Sequence, residues 1–282
     1  MSLVSIGKQV KQAQESHYAV PLFDAFDMQS TEGMFRAIEK KRAPAIIAVY
    51  GGYMDSANAR ALAAYIRVRA EQSPAPVSLM LDHGRSFEQC VKAIAYGFTD
   101  VMYDGSKLPY EENAANTRLA VRTAHAAGLC VEAELGHVGL GSEYPTFGAQ
   151  RKGFTDPALV EKFVTETGVD FLAIAVGNAH GLYTGEPNLD LDLLRDIRAR
   201  VSIPLVLHGG SGISEDQFRA AIAIGVAKIN VATDLYVTTT KVLAEAIKRE
   251  KVTYFDLVET STKSFQDRCE YYFDLFGASG KA

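Results

Sequence analysis

The sequence predicts an α/β protein that folds as a (β/α)8 TIM barrel with an extra helix at its C-terminal end. Eight short β-branched or apolar runs alternate with longer helical patterns, which is the order expected of parallel strands joined by right-handed crossovers. An open doubly wound sheet would need a glycine fingerprint after its first strand, and residues 22–27 contain no glycine. The closed barrel is therefore the favoured architecture.

The chain length is compatible with more than one domain count. A chain of 282 residues fits either two small domains or one α/β barrel, because such barrels commonly run to about 250 residues or more. No internal repeat, low-complexity tract or Pro/Ser-rich linker marks a boundary. We therefore expect a single domain over residues 1–282.

The strands and helices can be placed in order. The predicted strands cover residues 19–23, 45–50, 77–81, 100–103, 129–135, 171–176, 205–208 and 228–231. The helical patterns between and after them cover residues 56–70, 87–95, 110–127, 157–167, 191–200, 215–224 and 235–249, and a further helix is expected over 261–276. Residues 136–153 contain five glycines and few helix formers, and a loop of this length is typical of a mobile lid.

Local signals mark the ends of most helices. Polar residues of the types that cap helix N-termini precede five of them, namely Ser86, Asp156, Asp190, Ser214 and Asp234. Glycines that suit a left-handed C-terminal position end four of them, namely Gly97, Gly128, Gly168 and Gly225.

Composition and charge exclude several classes of function. The chain is 48% hydrophobic and carries 29 Lys and Arg against 34 Asp and Glu, and without a basic run it is not expected to bind nucleic acid. Cys90, Cys130 and Cys269 are too far apart for a disulfide framework or a cysteine zinc site. No apolar run reaches about 18 residues, and the N-terminus has no secretory pattern. We expect a cytoplasmic protein without a membrane span.

Three histidines follow or end predicted strands three, six and seven. In this fold the active site is built at the C-terminal ends of the strands, so His83, His180 and His208 are expected to converge on one mouth. Three imidazoles with carboxylates nearby are the ligand set of a catalytic zinc that keeps one position open. Cobalt or iron could occupy the same nitrogen ligands.

Carboxylates accompany these histidines. Asp82 precedes His83 and would remain ionised beside a divalent cation, which suits it to take a proton from a substrate hydroxyl. Glu132 and Glu134 share one face of the fifth strand. Both faces of a parallel barrel strand are covered, so this pair predicts a second cation or a shifted pKa rather than solvent exposure.

A glycine-rich turn, residues 208–212, leads into the helix predicted at 215–224. Successive glycines and a helix N-terminus favour a bound phosphate, and barrels of this type commonly bind phosphate after strands seven and eight. Asn230 and Thr233 lie within or after strand eight. Lys228 on the same strand raises an alternative, because a desolvated lysine can form a Schiff base with a ketone.

Six ordered motifs connect these residues to a known family. They are LDHGRSF (81–87), GFTDVMYDGS (97–106), VEAELG (131–136), NAHGLY (178–183), LHGGSG (207–212) and KINVAT (228–233). On these motifs the chain resembles the class II, zinc-dependent ketose-bisphosphate aldolases over nearly its whole length. The resemblance implies a lyase that cleaves a ketose 1-phosphate or 1,6-bisphosphate to dihydroxyacetone phosphate and an aldehyde.

The same resemblance implies roles at the metal. His83, His180 and His208 would hold one Zn²⁺, and Glu134 would contact it in an alternative position. Asp82 would move the proton of the C4 hydroxyl. A lid acid would protonate carbon 3, and Glu143 is our candidate for that role.

It also implies a phosphate-binding set and an assembly. The residues that would grip the dihydroxyacetone phosphate end, with a monovalent cation near Gly181 and Ser211, are Gly181, Gly209, Ser211, Asn230 and Thr233. Asn230 is counted among the catalytic residues as well. The resemblance further implies a cytosolic homodimer or homotetramer.

Three departures from the family pattern bear on the substrate. The lid places Glu143 out of the usual acidic register, and Asp24 stands where the family usually has Asn. Asp274 lies in a stretch that is typically basic. An added carboxylate and missing cations argue against an anionic distal group, which favours a ketose phosphate other than a bisphosphate.

Two other functions remain open at this point. A sugar-phosphate-binding protein of the same fold without turnover would explain the altered lid. A metal-dependent hydrolase on the same barrel usually needs a His-X-His pair on the first strand, and the sequence contains no such pair.

Overall fold

The computed structural model describes residues 2–143 and 151–282. Eight strands form the barrel. They are β1 Val20–Asp24, β2 Ala45–Tyr50, β3 Val77–Gly84, β4 Asp100–Tyr103, β5 Cys130–Leu135, β7 Phe171–Ile174, β9 Leu205–Leu207 and β10 Val226–Val231. All eight are parallel and close into a barrel in the order β1-β10-β9-β7-β5-β4-β3-β2, which confirms the predicted (β/α)8 fold. Two further short strands, β6 Gly139–Leu140 and β8 Ala179–His180, pair with each other in parallel.

Helices surround the barrel. Within the described residues they are α1 Gly7–Glu15, α2 Met28–Lys41, α3 Ala59–Gln72, α4 Phe87–Ala95, α5 Tyr110–Ala126, α6 Pro157–Thr167, α7 Leu191–Arg200, α8 Glu215–Ile224, α9 Thr233–Ala246 and α10 Tyr254–Leu275. Helices α1 and α2 were not predicted, and α10 begins well before the predicted residue 261. No helix in the described part of the chain has the length and hydropathy needed to cross a bilayer.

Strand register places alternate side chains in the barrel interior. Lys228 of β10 pairs with Val20, and Asn230 pairs with Leu22. Paired residues of parallel strands share a face, so Asp24, two residues beyond Leu22, points the same way as Asn230. The C-terminal ends of the strands therefore present a ring of polar side chains.

Most predicted helix ends are confirmed. Ser86, Asp156, Asp190 and Ser214 each accept a backbone N–H of the first helical turn. The prediction for Asp234 is wrong: it is the second residue of α9, and its carboxylate binds Arg268 and Tyr272 instead. A partner on α10, distant in sequence, thus takes this side chain away from the helix end.

The segment predicted as a lid, residues 136–153, is partly ordered into β6 and a 3-10 turn at Gly141–Glu143. Leu140 of β6 pairs with His180 of β8. Residues 144–150 of the predicted lid lie outside the described residues. The first half of the segment is thereby fixed beside a candidate metal ligand.

Candidate functional site

Three imidazole rings converge at the C-terminal mouth of the barrel. Nε2 of His83 lies 3.1 Å from Nε2 of His180 and 2.9 Å from Nδ1 of His208. One ligand atom from each ring lies within 4.8 Å of the other two. His208 is fully buried and His83 is 7% exposed, so these nitrogens would face an ion that is largely shielded from water.

The second nitrogen of two of these rings is held by a carboxylate. Nδ1 of His83 lies 2.8 Å from Oδ2 of Asp104, and Nε2 of His208 lies 2.7 Å from Oε1 of Glu132. Such partners fix which ring nitrogen carries the proton and leave the other lone pair free for a metal. The donor set therefore fits a divalent ion bound by three imidazoles.

The three imidazoles differ in the direction of their pKa shifts. Burial would lower the pKa of His83, but Asp82, Asp104 and Glu134 raise it to about 10. Burial and the charge of His83 lower the pKa of His180 and of His208 well below the ordinary value. In the metal-free protein these shifts favour a protonated His83 beside two neutral imidazoles. A bound cation would take the place of that positive charge.

A local irregularity in β3 brings Asp82 and His83 to the same side. Adjacent residues of a regular strand point to opposite faces. The register of β3 against β4 shifts between Leu81 and Gly84, and His83 has a left-handed φ of 49°. This bulge lets Oδ2 of Asp82 lie 4.0 Å from Nε2 of His83. Asp82 and His83 therefore share one site.

Asp82 is linked to the opposite wall of the barrel. Its Oδ1 accepts a hydrogen bond of 2.9 Å from Nδ2 of Asn230, and Oδ1 of Asn230 accepts one of 2.7 Å from Nζ of Lys228. Lys228 is fully buried and also lies 2.8 Å from Oε2 of Glu132. A buried, paired ammonium is a poor nucleophile, which weighs against the Schiff-base alternative.

Glu134 lies on the same face of β5 as Glu132, as predicted from their spacing, and both are buried. One oxygen of Glu134 accepts the backbone N–H of Val138. Burial, followed by the charge of Asp104, raises the pKa of Glu134 to about 8. Ligand atoms of Glu134, Asp104 and His83 form a second cluster within 4.8 Å, which is compatible with the alternative metal contact expected for Glu134.

The glycine-rich turn lies between the ends of β9 and β10. The N–H of Gly210 donates to the carbonyl of Asn230, and the hydroxyl of Ser211 accepts the N–H of Asp234 in the first turn of α9. Gly209 has a φ of 63°, and a Cβ there would lie 2.0 Å from the carbonyl oxygen of Ala179. Only glycine fits this approach of the turn to β8.

The turn is also tied to the strand that carries His180. The Tyr183 hydroxyl accepts the N–H of Ala179 and donates to the carbonyl of Gly209. Gly181 follows His180 directly, and Thr233 begins α9 beside Ser211. Of the five residues predicted to grip a phosphate, Ser211 and Thr233 therefore lie at the N-terminus of α9, where backbone N–H groups point outward, and Gly209 packs against Ala179, two residues before Gly181.

The three departures from the family pattern have different outcomes. Asp24 is 6% exposed, and its Oδ1 has no hydrogen-bond partner within the described residues. Burial and then the charge of Asp82 raise the pKa of Asp24 well above its usual range. Glu143 is exposed, and its charge opposes the lowering of the pKa of His137 that burial causes. Asp274 pairs with Lys41 at the end of α2, so it contributes no charge to this mouth.

Glu132 and Asp104 were not assigned a contact with a ligand from the sequence. The sequence predicts only that Glu132 shares a face of its strand with Glu134, and Asp104 enters the sequence analysis only as part of the motif at residues 97–106. Their partners, His208 and His83, lie on other strands. A carboxylate on a buried strand rarely lacks a partner, so the sequence indicates that Glu132 has one. It does not indicate which histidine the carboxylate contacts.

Replacing Asp104 with alanine should weaken metal binding. The Nδ1 proton of His83 would lose its acceptor, and removal of such a partner typically costs about 10- to 100-fold in metal affinity. Competition for Zn²⁺ against a chelating dye measures this change. Asp170 holds His125 through a similar 2.8 Å contact, so Asp170→Ala is the matched control. Equal affinities for Asp104→Ala and wild type would contradict the assignment.

Comparisons with known proteins agree with this geometry. The family model of class-II fructose-bisphosphate aldolase matches residues 4–281. The fructose-bisphosphate aldolase of Geobacillus stearothermophilus is 40% identical over 257 residues, 90% of this chain and 89% of that one. That of Streptococcus pneumoniae serotype 4 is 38% identical, with both chains fully covered. The crystal structure of the YdjI aldolase from Escherichia coli K12 superposes with a TM-score of 0.89 at 34% identity, covering 99% of both chains.

Proposed function

The chain belongs to the class-II fructose-bisphosphate aldolase family, and from that membership we propose that it reversibly cleaves the C3–C4 bond of a ketose 1-phosphate or 1,6-bisphosphate. The products are dihydroxyacetone phosphate and an aldehyde. The observation that carries this proposal is the meeting of three imidazoles, an adjacent carboxylate and a phosphate-type turn at one mouth.

We assign the metal to His83, His180 and His208, with Zn²⁺ as the favoured ion. Such an ion, when bound, supplies a Lewis acid for the ketone carbonyl. Glu134 offers an alternative carboxylate contact. The imidazoles keep their orientation through Asp104 and through the fully buried Glu132.

The protein residues supply binding and proton transfer. Asp82 takes the proton of the C4 hydroxyl through Oδ2, because Oδ1 is occupied by Asn230. Glu143 is the proposed acid for carbon 3 of the dihydroxyacetone phosphate half. Its exposed position at the end of a 3-10 turn allows it to approach the mouth and to help exclude water from the reacting atoms.

The phosphate end lies on the turn after β9 and the N-terminus of α9. Backbone N–H groups near Gly209 and Ser211, with Thr233 and Gly181, provide neutral donors that a helix dipole reinforces. A monovalent cation near Gly181 and Ser211 would balance the phosphate charge. We further propose a single domain over residues 1–282 and a cytoplasmic homodimer or homotetramer.

The choice of ketose is tested by a coupled dihydroxyacetone phosphate assay over mono- and bisphosphorylated ketoses. Asp24 adds an acidic side chain to the mouth where the family usually has an amide, and it favours a substrate without a second phosphate. Release of dihydroxyacetone phosphate from at least one ketose 1-phosphate is expected. Absence of release from every ketose in the panel would refute the proposed activity.

Exhaustive chelation should abolish cleavage, and added Zn²⁺ should restore it, because the protein residues alone provide no electrophile for the carbonyl. Borohydride added with substrate should trap no adduct on Lys228, since that amine is buried and paired with Glu132. Mass spectrometry of the intact protein detects such an adduct. Full activity after chelation together with a borohydride adduct on Lys228 would establish the Schiff-base mechanism instead.

A further inference from the structure

Lys228 is a fully buried cation at the centre of the site that the proposed reaction does not use. Its side chain is 0% exposed on β10. The ammonium group lies 2.8 Å from Oε2 of Glu132 and 2.7 Å from Oδ1 of Asn230. The ammonium donates a hydrogen bond to Asn230, since it has three donors and no acceptor, and its contact with Glu132 is an ion pair. Lys228 therefore fixes two other side chains at once.

On one side Lys228 decides how the Asn230 amide is oriented. The oxygen of the amide faces Nζ of Lys228, so the NH₂ group faces Asp82 and donates 2.9 Å to its Oδ1. A flipped amide would set NH₂ against the ammonium and an oxygen against the carboxylate, and both contacts would be repulsive. One oxygen of Asp82 is thereby occupied. The other oxygen, Oδ2, is left toward Nε2 of His83, 4.0 Å away.

On the other side Lys228 holds the carboxylate of Glu132. Oε2 of Glu132 is paired with Lys228, while Oε1 accepts from Nε2 of His208 at 2.7 Å. A carboxylate held at both oxygens cannot rotate away from the imidazole. The Nε2 proton of His208 is then fixed, and the Nδ1 lone pair is presented to His83 and to a metal.

We propose that Lys228 is a positioning residue that sets the proton acceptor Asp82, through Asn230, and the metal ligand His208, through Glu132, from one buried ammonium group. The inference rests on the proposed function, since it assumes that Asp82 and His208 act in the cleavage. It differs from the Schiff-base alternative because Lys228 never contacts the substrate. Its effect passes through Asn230 and Glu132.

The test must separate this role from a simple counter-charge. Lys228→Met alone leaves Glu132 buried without its cation, which destabilises the fold. The double variant Lys228→Met/Glu132→Gln removes both charges, and the oxygen of the introduced amide can still accept from His208. Thermal unfolding of the metal-free proteins should show the double variant recovering much of the stability that Lys228→Met loses.

Kinetics of the double variant then report on positioning. A correctly oriented base contributes about 10²- to 10⁴-fold to the rate. We therefore expect kcat of the double variant to fall about 100-fold, while KM for the ketose phosphate changes by less than about threefold. At saturating Zn²⁺, where the effect through His208 does not limit turnover, the same change introduced into the Asp82→Asn enzyme should lower kcat by less than about threefold, because the proton acceptor that Lys228 sets is already inactive.

Zinc affinity gives a readout that does not depend on turnover. Competition against a chelating dye should show about 10- to 100-fold weaker Zn²⁺ binding in Lys228→Met/Glu132→Gln. A folded double variant with wild-type kcat and zinc affinity would overturn the proposal, as would equal losses of kcat in the wild-type and Asp82→Asn backgrounds. If the wild-type protein cleaves no ketose phosphate, the proposed function fails, and the zinc affinities alone then decide whether Lys228 positions His208.

Discussion

Replacing His180 with alanine is expected to lower kcat/KM for ketose phosphate cleavage by about three orders of magnitude or more. The ring supplies one of the three nitrogens gathered within 4.8 Å. A metal Lewis acid contributes several kcal/mol to the transition state, and each 1.36 kcal/mol is a factor of about ten in rate. The coupled dihydroxyacetone phosphate assay, run with Zn²⁺ in excess, measures the loss.

The control for this variant is a histidine outside the cluster. His125 on α5 is bonded to Asp170 and is half-exposed, so His125→Ala should retain wild-type kcat/KM. In a binding protein without turnover, His180→Ala would leave the affinity for dihydroxyacetone phosphate nearly unchanged. Calorimetric titration of the wild-type and His180→Ala proteins measures that affinity. Undiminished cleavage by His180→Ala would show that this ring is no part of a catalytic metal site.

Asp82→Asn is expected to reduce kcat about 10²- to 10⁴-fold, the usual contribution of a positioned acid or base. An amide of the same shape can still fill the space beside Asn230, but it cannot accept the C4 hydroxyl proton. Zinc affinity should stay within about threefold of wild type because none of the three imidazoles is altered. The contrast with His180→Ala, which loses both zinc and turnover, separates the two roles.

Asp24→Asn is the matched carboxyl-to-amide control for Asp82→Asn. Asp24 is also a buried carboxyl at this mouth, and the variant removes the same acidic group without touching the proton acceptor. Turnover should persist in Asp24→Asn, with the ratio of bisphosphate to monophosphate cleavage increased. If the two variants lost kcat equally, the assignment of the base to Asp82 alone would be wrong.

Much of the barrel could be predicted from the sequence because its strands are short apolar runs between helical patterns. Helix α2 was missed because Ser30, Thr31 and Gly33 resemble a turn, whereas in the fold α2 packs closely on α10 at Gly33. Helix α1 was missed because it buries only Val10 and Ala13 among polar residues. Both helices are stabilised by contacts with elements far away in the chain.

The candidate metal ligands could be predicted because strand ends of a parallel barrel meet at one mouth. The residues that orient them could not. Glu132 reaches His208 only because β5 and β9 lie on either side of β7, and Asp82 faces the same cluster as His83 only because β3 is bulged. Strand register and the bulge in β3 depend on how the strands pair in the folded barrel. They therefore cannot be predicted from a single sequence.

The pairing of β6 with β8 couples residues 139–140 to the strand that carries His180. Leu140 and His180 face each other across that short ladder, so restraining the imidazole also restrains the backbone of β6. Loading with Zn²⁺ should then slow amide hydrogen exchange at residues 139–140 in the absence of sugar. The resting enzyme would therefore have its entrance partly organised before any substrate arrives.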